Sequence, residues 1–177
     1  MNSKFQSAFD ALETQRIKLL DEVRTLPVDI LNAAPPGKWS ILRILSHIIA
    51  AEGTGLSYVK KKVLGVKEAS EGGVWEAVKV VVFQASQRLP MLKYKVPKVI
   101  DERTVVHVDL PTIELEWKKV RQEWRTLLET IPDEYVNRKI FRHVVGGRFT
   151  LDQGMVIFGE HLNHHLPQIR ERMKKEA

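Results

Sequence analysis

The sequence predicts an all-α fold: an up-and-down type four-helix bundle with one or two extra short helices and a small β-hairpin before the last helix, in one domain spanning residues 1–177. Three observations carry that prediction. Apolar residues recur three and four apart in four long segments, Gly and Pro clusters punctuate the chain between segments, and a single short strand–Gly-Gly–strand pattern precedes the last of them. Composition agrees. With 44% hydrophobic and 28% charged residues, ten Gly, eight Pro and no Cys, the chain falls among folded globular domains and outside the disordered, collagenous and disulfide-stapled classes.

The first element carries Phe5, Phe9, Leu12, Leu19, Val23 and Leu26 at helical spacing, between a cap at Asn2 or Ser3 and a stop at Pro27. Pro35-Pro36-Gly37 marks a connection, with room for one helical turn around Asp29 to Ala33. Ser40 then caps a second long helix, apolar at Ile41, Ile44, Leu45, Ile48, Leu56 and Val59, which runs to about Leu64. Val74 to Leu89 reads as a helix despite its β-branched Val80-Val81-Val82, because its length and flanking polar residues exceed what an isolated strand offers. Residues 91–111 read as a long basic connection. Thr112 is the expected cap of a helix through Ile113, Trp117, Val120, Trp124, Leu127 and Ile131. Residues 139–149 form the hairpin around Gly146-Gly147. Thr150 and Gln153 then fit a capping box that opens the last helix, with its stripe of Leu151, Met155, Phe158, Leu162, Leu166, Ile169 and Met173.

Charge and cysteine usage narrow the function classes. Lys plus Arg outnumber Asp plus Glu 28 to 22, a net +6, yet the basic residues cluster only at Lys60-Lys61-Lys62 and Lys93/Lys95/Lys98, without interleaved aromatics, so nucleic acid is not the expected partner. No apolar signal core and no window of ~18 uninterrupted apolar residues occurs, so the chain reads as cytoplasmic, without a membrane span. Absence of cysteine removes thiolate zinc sites, iron–sulfur clusters and a cysteine nucleophile, and leaves His, carboxylates or backbone oxygen to hold any metal.

Six histidines are present. At ~100° per residue, positions 161 and 165 lie about 40° apart, one turn along the last helix, and flank its apolar stripe, while His164 faces outward. His47 stands at the border of the apolar arc of the second long helix. Two readings fit this pattern: polar edges of amphipathic helices, or three imidazoles from two facing helices converging on one ion, the i, i+4 pair being a common metal spacing. Other residues have plainer expectations. Glu52, in the apolar arc, is hydrogen-bonded within the bundle or part of the site, the former preferred. Gln168 can orient a ligand or sit at the rim, Glu160 is solvated, Trp39, Trp117 and Trp124 fill core, and His107 and His143 are surface residues.

The run from Gly37-Lys38-Trp39-Ser40 to His47, followed by Gly146-Gly147 through Thr150 and by His161-x-x-x-His165-x-x-Gln168, resembles the DinB/YfiT-like superfamily of metal-binding four-helix bundles over nearly the whole chain. The resemblance implies that His47, His161 and His165 are ligands of a divalent metal (Zn, Ni or Fe). It further implies a metal-dependent thiol S-transferase, isomerase or hydrolase acting on a small molecule, with a low-molecular-weight thiol as a co-substrate candidate, in a homodimer. No catalytic base or nucleophile stands out, so a non-catalytic metal- or small-molecule-binding bundle is the alternative. Two residues depart from the pattern. Arg43 replaces the acidic partner of a capping box and weakens the start of the His47 helix, and Pro167 should kink the last helix just past His165.

Overall fold

The computed structural model describes residues 1–87, 97–143 and 146–174. Seven helices lie among them: α1 Ser3–Arg24, α2 Val28–Asn32, α3 Ile41–Val63, α4 Val74–Gln87, α5 Lys98–Asp101, α6 Leu110–Glu129 and α7 Leu151–Met173. The hairpin strands are β1 Phe141–His143 and β2 Gly147–Phe149.

Each long helix begins where local chemistry supplies an acceptor for an orphan amide. Asn2 accepts from the Lys4 N–H at 3.0 Å, and Ser40 Oγ accepts from the Arg43 N–H at 3.2 Å. The Arg43 guanidinium, expected to weaken that start, lies over the Trp39 ring, 5.0 Å from the centroid. The start of α6 differs from expectation. Asp109, not Thr112, is the cap; its Oδ1 accepts from the Thr112 N–H at 2.8 Å, its Oδ2 accepts from the Thr112 hydroxyl at 3.0 Å, and Pro111 sits in the first turn, where a missing amide costs nothing. The basic connection therefore ends earlier, and its described part contains the single turn α5. Gln153 Oε1 accepts from the Thr150 N–H at 3.2 Å to open α7, which stays helical through Pro167 to Met173. In the hairpin Phe141 pairs with Phe149 and His143 with Gly147, whose φ of 87° suits glycine. Val144 and Val145, like the expected end of α4 at Leu89, lie outside the described residues.

α1, α3, α6 and α7 form the bundle. Contacts between named side chains give their directions: Gln15 and Glu22 on α1 meet Gly159 and Arg170 on α7, so those two run parallel. His47 meets His161, and Gly55 meets Phe158, so α3 runs against α7. Glu13 meets Arg121 and Arg24 meets Glu114, so α6 runs against α1 and alongside α3. The order is up, down, down, up, and the alternation of an up-and-down bundle is interrupted once, because the stretch between α3 and α6 is long enough to return to the end at which α3 began. One core cluster gathers Phe5, Phe9, Trp124, Phe141, Phe149 and Phe158 toward the hairpin end. The other gathers Leu19, Ile41, Ile44, Trp117, Leu162 and Ile169 toward the opposite end. α4 lies over α7 with Val80 buried, while Val74, Trp75, Val81 and Val82 remain exposed. No helix among the described residues is long and apolar enough to cross a membrane.

Candidate metal centre

The rotation of α3 is set by burial of Ile41, Ile44, Leu45 and Ile48, which carries His47 inward at the α7 side. The rotation of α7 is set likewise by Leu162 and Ile169 and turns His161 and His165 toward α3. The two helices come close one step further along, where a Cβ on Gly55 would stand 2.6 Å from Cζ of Phe158. The three imidazoles meet as a result. His161 Nε2 lies 3.2 Å from His47 Nε2 and 3.2 Å from His165 Nε2, and one ring nitrogen from each of the three falls within 4.8 Å of the others.

Burial is the main cause of a common downward shift in basicity. It pushes His47 down to about 4 and His165 to about 3, and with help from the neighbouring imidazoles it holds His161 well below 6.5. All three are neutral at pH 7, the form that ligates metal. Gln168 Oε1 lies 3.3 Å from His165 Nδ1, which assigns the ring proton to Nδ1 and leaves the Nε2 lone pair toward the other histidines.

The chemistry of these donors fits a metal ion. A neutral imidazole nitrogen has one lone pair or one hydrogen in the ring plane, so His161 Nε2 can satisfy only one of its two neighbours by hydrogen bonding. A cation accepts all three. Bonds of ~2.0–2.1 Å at tetrahedral angles hold two nitrogens about 3.3 Å apart, close to the two short separations here.

A cavity of about 510 Å³ opens on the three histidines, with Phe83, Phe141 and Phe158 in its walls. Two residues expected at the surface line it. His143 is half-buried, its ring edge-on to Phe83 with centroids 4.6 Å apart, and its Nδ1 accepts from the Gly146 N–H at 3.1 Å; the hairpin folds it inward, a long-range placement no local pattern signals. His164 does not simply face solvent, since its ring stands 5.3 Å from that of His165 and borders the cavity. His107 keeps a more peripheral place and donates its backbone N–H to Ser46 Oγ at 3.1 Å. Trp39 is half-buried and walls His47 at 5.1 Å between centroids, whereas Trp117 and Trp124 are fully buried core. Glu160 is buried rather than solvated, because α4 covers that side of α7 and Gln84 Nε2 donates to Glu160 Oε1 at 3.3 Å.

Glu52 belongs to a different cluster. Its Oε2 accepts from Arg121 Nε at 2.7 Å and Trp117 Nε1 at 3.0 Å, its Oε1 accepts from Arg121 Nη2 at 2.8 Å, and Arg121 Nη1 donates on to Glu13 at 2.9 Å. Arg121 was invisible as a functional residue in the sequence; its spacing from Trp117 and Trp124, which puts a cation on the apolar face, was the available signal.

The DinB superfamily profile matches residues 11–169. The chain belongs to the DinB superfamily. Among solved structures, this DinB chain is similar to YfiT from Bacillus subtilis, described as a probable metal-dependent hydrolase with an unusual four-helix bundle topology. The TM-score is 0.57 at 13% identity, over 99% of this chain and 89% of that one, a likeness of fold. No curated protein matches this DinB sequence.

Proposed function

We propose that this protein is a divalent-metal-dependent enzyme acting on a small molecule, of the thiol S-transferase, isomerase or hydrolase kind, with His47, His161 and His165 as its metal ligands. The observation that carries the reading is the convergence of three neutral imidazole nitrogens at the wall of a cavity large enough for a small substrate. Three protein ligands leave an open position, the arrangement of catalytic sites, and a divalent ion bound there lowers the pKa of a water or thiol toward neutrality. The chain's own residues do the rest. Gln168 holds the His165 tautomer. His143, kept neutral by burial and accepting at Nδ1, carries its proton at Nε2 and so serves as a donor, not a base. The phenylalanines exclude water from the cavity walls.

Metal analysis of untagged protein tests the reading, with about one divalent ion expected per chain after reconstitution. Turnover is then assayed with thiol plus electrophile and, separately, with esters and amides. Failure to take up any metal overturns the proposal. The second reading, a non-catalytic metal- or small-molecule-binding bundle, is favoured by one observation: no Asp or Glu lines the cavity among the described residues, and the Asp101 carboxylate acts on His47 from outside that lining. A metal-loaded protein inert toward every substrate class decides for it. The exposed apolar face of α4, with Val74, Trp75, Val81 and Val82, supports a homodimer, which sedimentation that stays monomeric at all concentrations refutes.

A further inference from the structure

Charge is distributed unevenly around the cavity beside the histidines. Lys61, Arg103 and Arg142 line it, and no Asp or Glu among the described residues does, the Asp101 carboxylate acting on His47 from outside that lining. Elsewhere cations are paired: Lys60, also on α3, donates to Glu123 at 2.6 Å, and Lys139 donates to Glu76 at 3.1 Å. Lys61, adjacent to Lys60, makes no ion pair among the described residues, and neither does Arg103.

The position of Lys61 follows from helix geometry. His47, Ala51, Thr54, Tyr58 and Lys61 all border the cavity and are spaced four, three, four and three apart, so they share one face of α3 about 80° wide. Lys61 stands about 21 Å along the helix axis from His47. Phe158 packs against α3 between them, at Gly55. The cavity therefore has nitrogen donors toward one end, aromatic walls, and a cation on the same helix face toward the other end. A neutral guest gains nothing from that cation. An anion gains a charge-assisted hydrogen bond, and without such a partner it would not leave water for an aromatic wall.

We infer that the substrate of this site is a small organic anion, an apolar body carrying a carboxylate or phosphate that Lys61 binds, with Arg103 and Arg142 adding to the attraction. The inference rests on the proposal that the three-histidine cavity is the substrate site. It also gives association a salt dependence, since a positive cavity steers anions and added salt screens the field.

Calorimetric titration of the metal-loaded protein with octanoate, octyl phosphate, octanol and octylamine tests it. The two anions should bind at least about tenfold tighter than octanol, and octylamine should bind weakest. Lys61→Met, an exposed position where folding is not at stake, should remove most of the preference of both anions over octanol while metal content stays unchanged. The ratio of octanoate to octyl phosphate shows which headgroup is preferred. Octanol binding as tightly as octanoate overturns the inference, and so does the absence of binding by all four probes. An anion preference that survives Lys61→Met but vanishes in His161→Ala overturns it as well, because the anion would then be held at the histidine end. Loss of metal from the wild type with the Lys61-dependent preference intact sinks the metal-enzyme reading alone, whereas normal metal uptake without any preference for anions sinks this inference alone.

Discussion

α3 carries two buried polar clusters, and they differ in how completely the chain satisfies them. Glu52 faces α6 and accepts three hydrogen bonds from Arg121 and Trp117, with its backbone carbonyl accepting from Trp124 Nε1 at 3.3 Å. His47, five residues earlier, faces α7, where the polar partner of its Nε2 is another imidazole, while its Nδ1 is buried without a partner among the described residues. The first cluster is closed: every strong donor and acceptor is used, which is what a structural tie requires. The second is open: its nitrogens compete for too few protons, and it borders a cavity. The contrast teaches that a buried polar group is informative through what it lacks. Glu52 is more deeply buried than His47, yet it is His47 that asks for something from outside the chain.

The sharpest way to break this distinction is Arg121→Met, which strands the Glu52 carboxylate. It should cost about 3–5 kcal/mol in urea denaturation, with metal per folded chain unchanged, and the double variant Glu52→Leu/Arg121→Met should recover most of the loss. A fall in metal uptake alongside stability would show that the clusters are coupled. The converse variant is His161→Ala. It should weaken metal binding by about a thousandfold or more in chelator competition while shifting the stability of the metal-free protein by no more than about 1 kcal/mol, and His47→Ala and His165→Ala should do the same.

Acid separates the two clusters again. In metal-free protein the unfolded chain takes up protons as pH falls below 6.5, but buried His47 and His165 do not until about 4 and about 3. The unfolded state therefore binds more protons throughout that window, stability falls as pH falls across it, and these groups stop contributing to the slope below about 3. Denaturation at several pH values should show a shallower slope for His165→Ala than for the wild type. For the same reason proton competition with metal sets in near pH 4, below the 6.5 that an exposed histidine would give. The smallest effect belongs to Gln168→Ala, expected to weaken metal binding about tenfold to a hundredfold by releasing the His165 tautomer; an unchanged affinity would show that the 3.3 Å contact orients nothing.

Local pattern made much of this legible. The stripe on α7 placed His161 and His165 on one side of the helix, and the Ser40 cap fixed where the His47 helix begins, so the convergence of three residues from two helices could be anticipated from periodicity and resemblance together. What stayed hidden depends on tertiary placement. His143 enters the cavity only because the hairpin packs against α3, and Glu160 is buried only because α4 covers it. Asp109 rather than Thr112 is the cap because Pro111 fits the first turn of a helix as well as it fits the end of a loop, and the local sequence does not distinguish the two. Arg121 is not singled out by the sequence, because its role depends on Glu52 and Glu13 closing around it from two other helices.

The separation along the chain between His47 and His161 is 114 residues, and between Glu52 and Arg121 it is 69. Synthesis proceeds from the N-terminal end, so the ion pair between α3 and α6 has both its halves while α7 is still being made. The three-histidine pocket has only one. The chain therefore carries both halves of its structural tie before it carries the two α7 imidazoles of the proposed metal site. On the proposed reading, metal acquisition waits for α7, and a bound ion reports that the last helix has docked against α3.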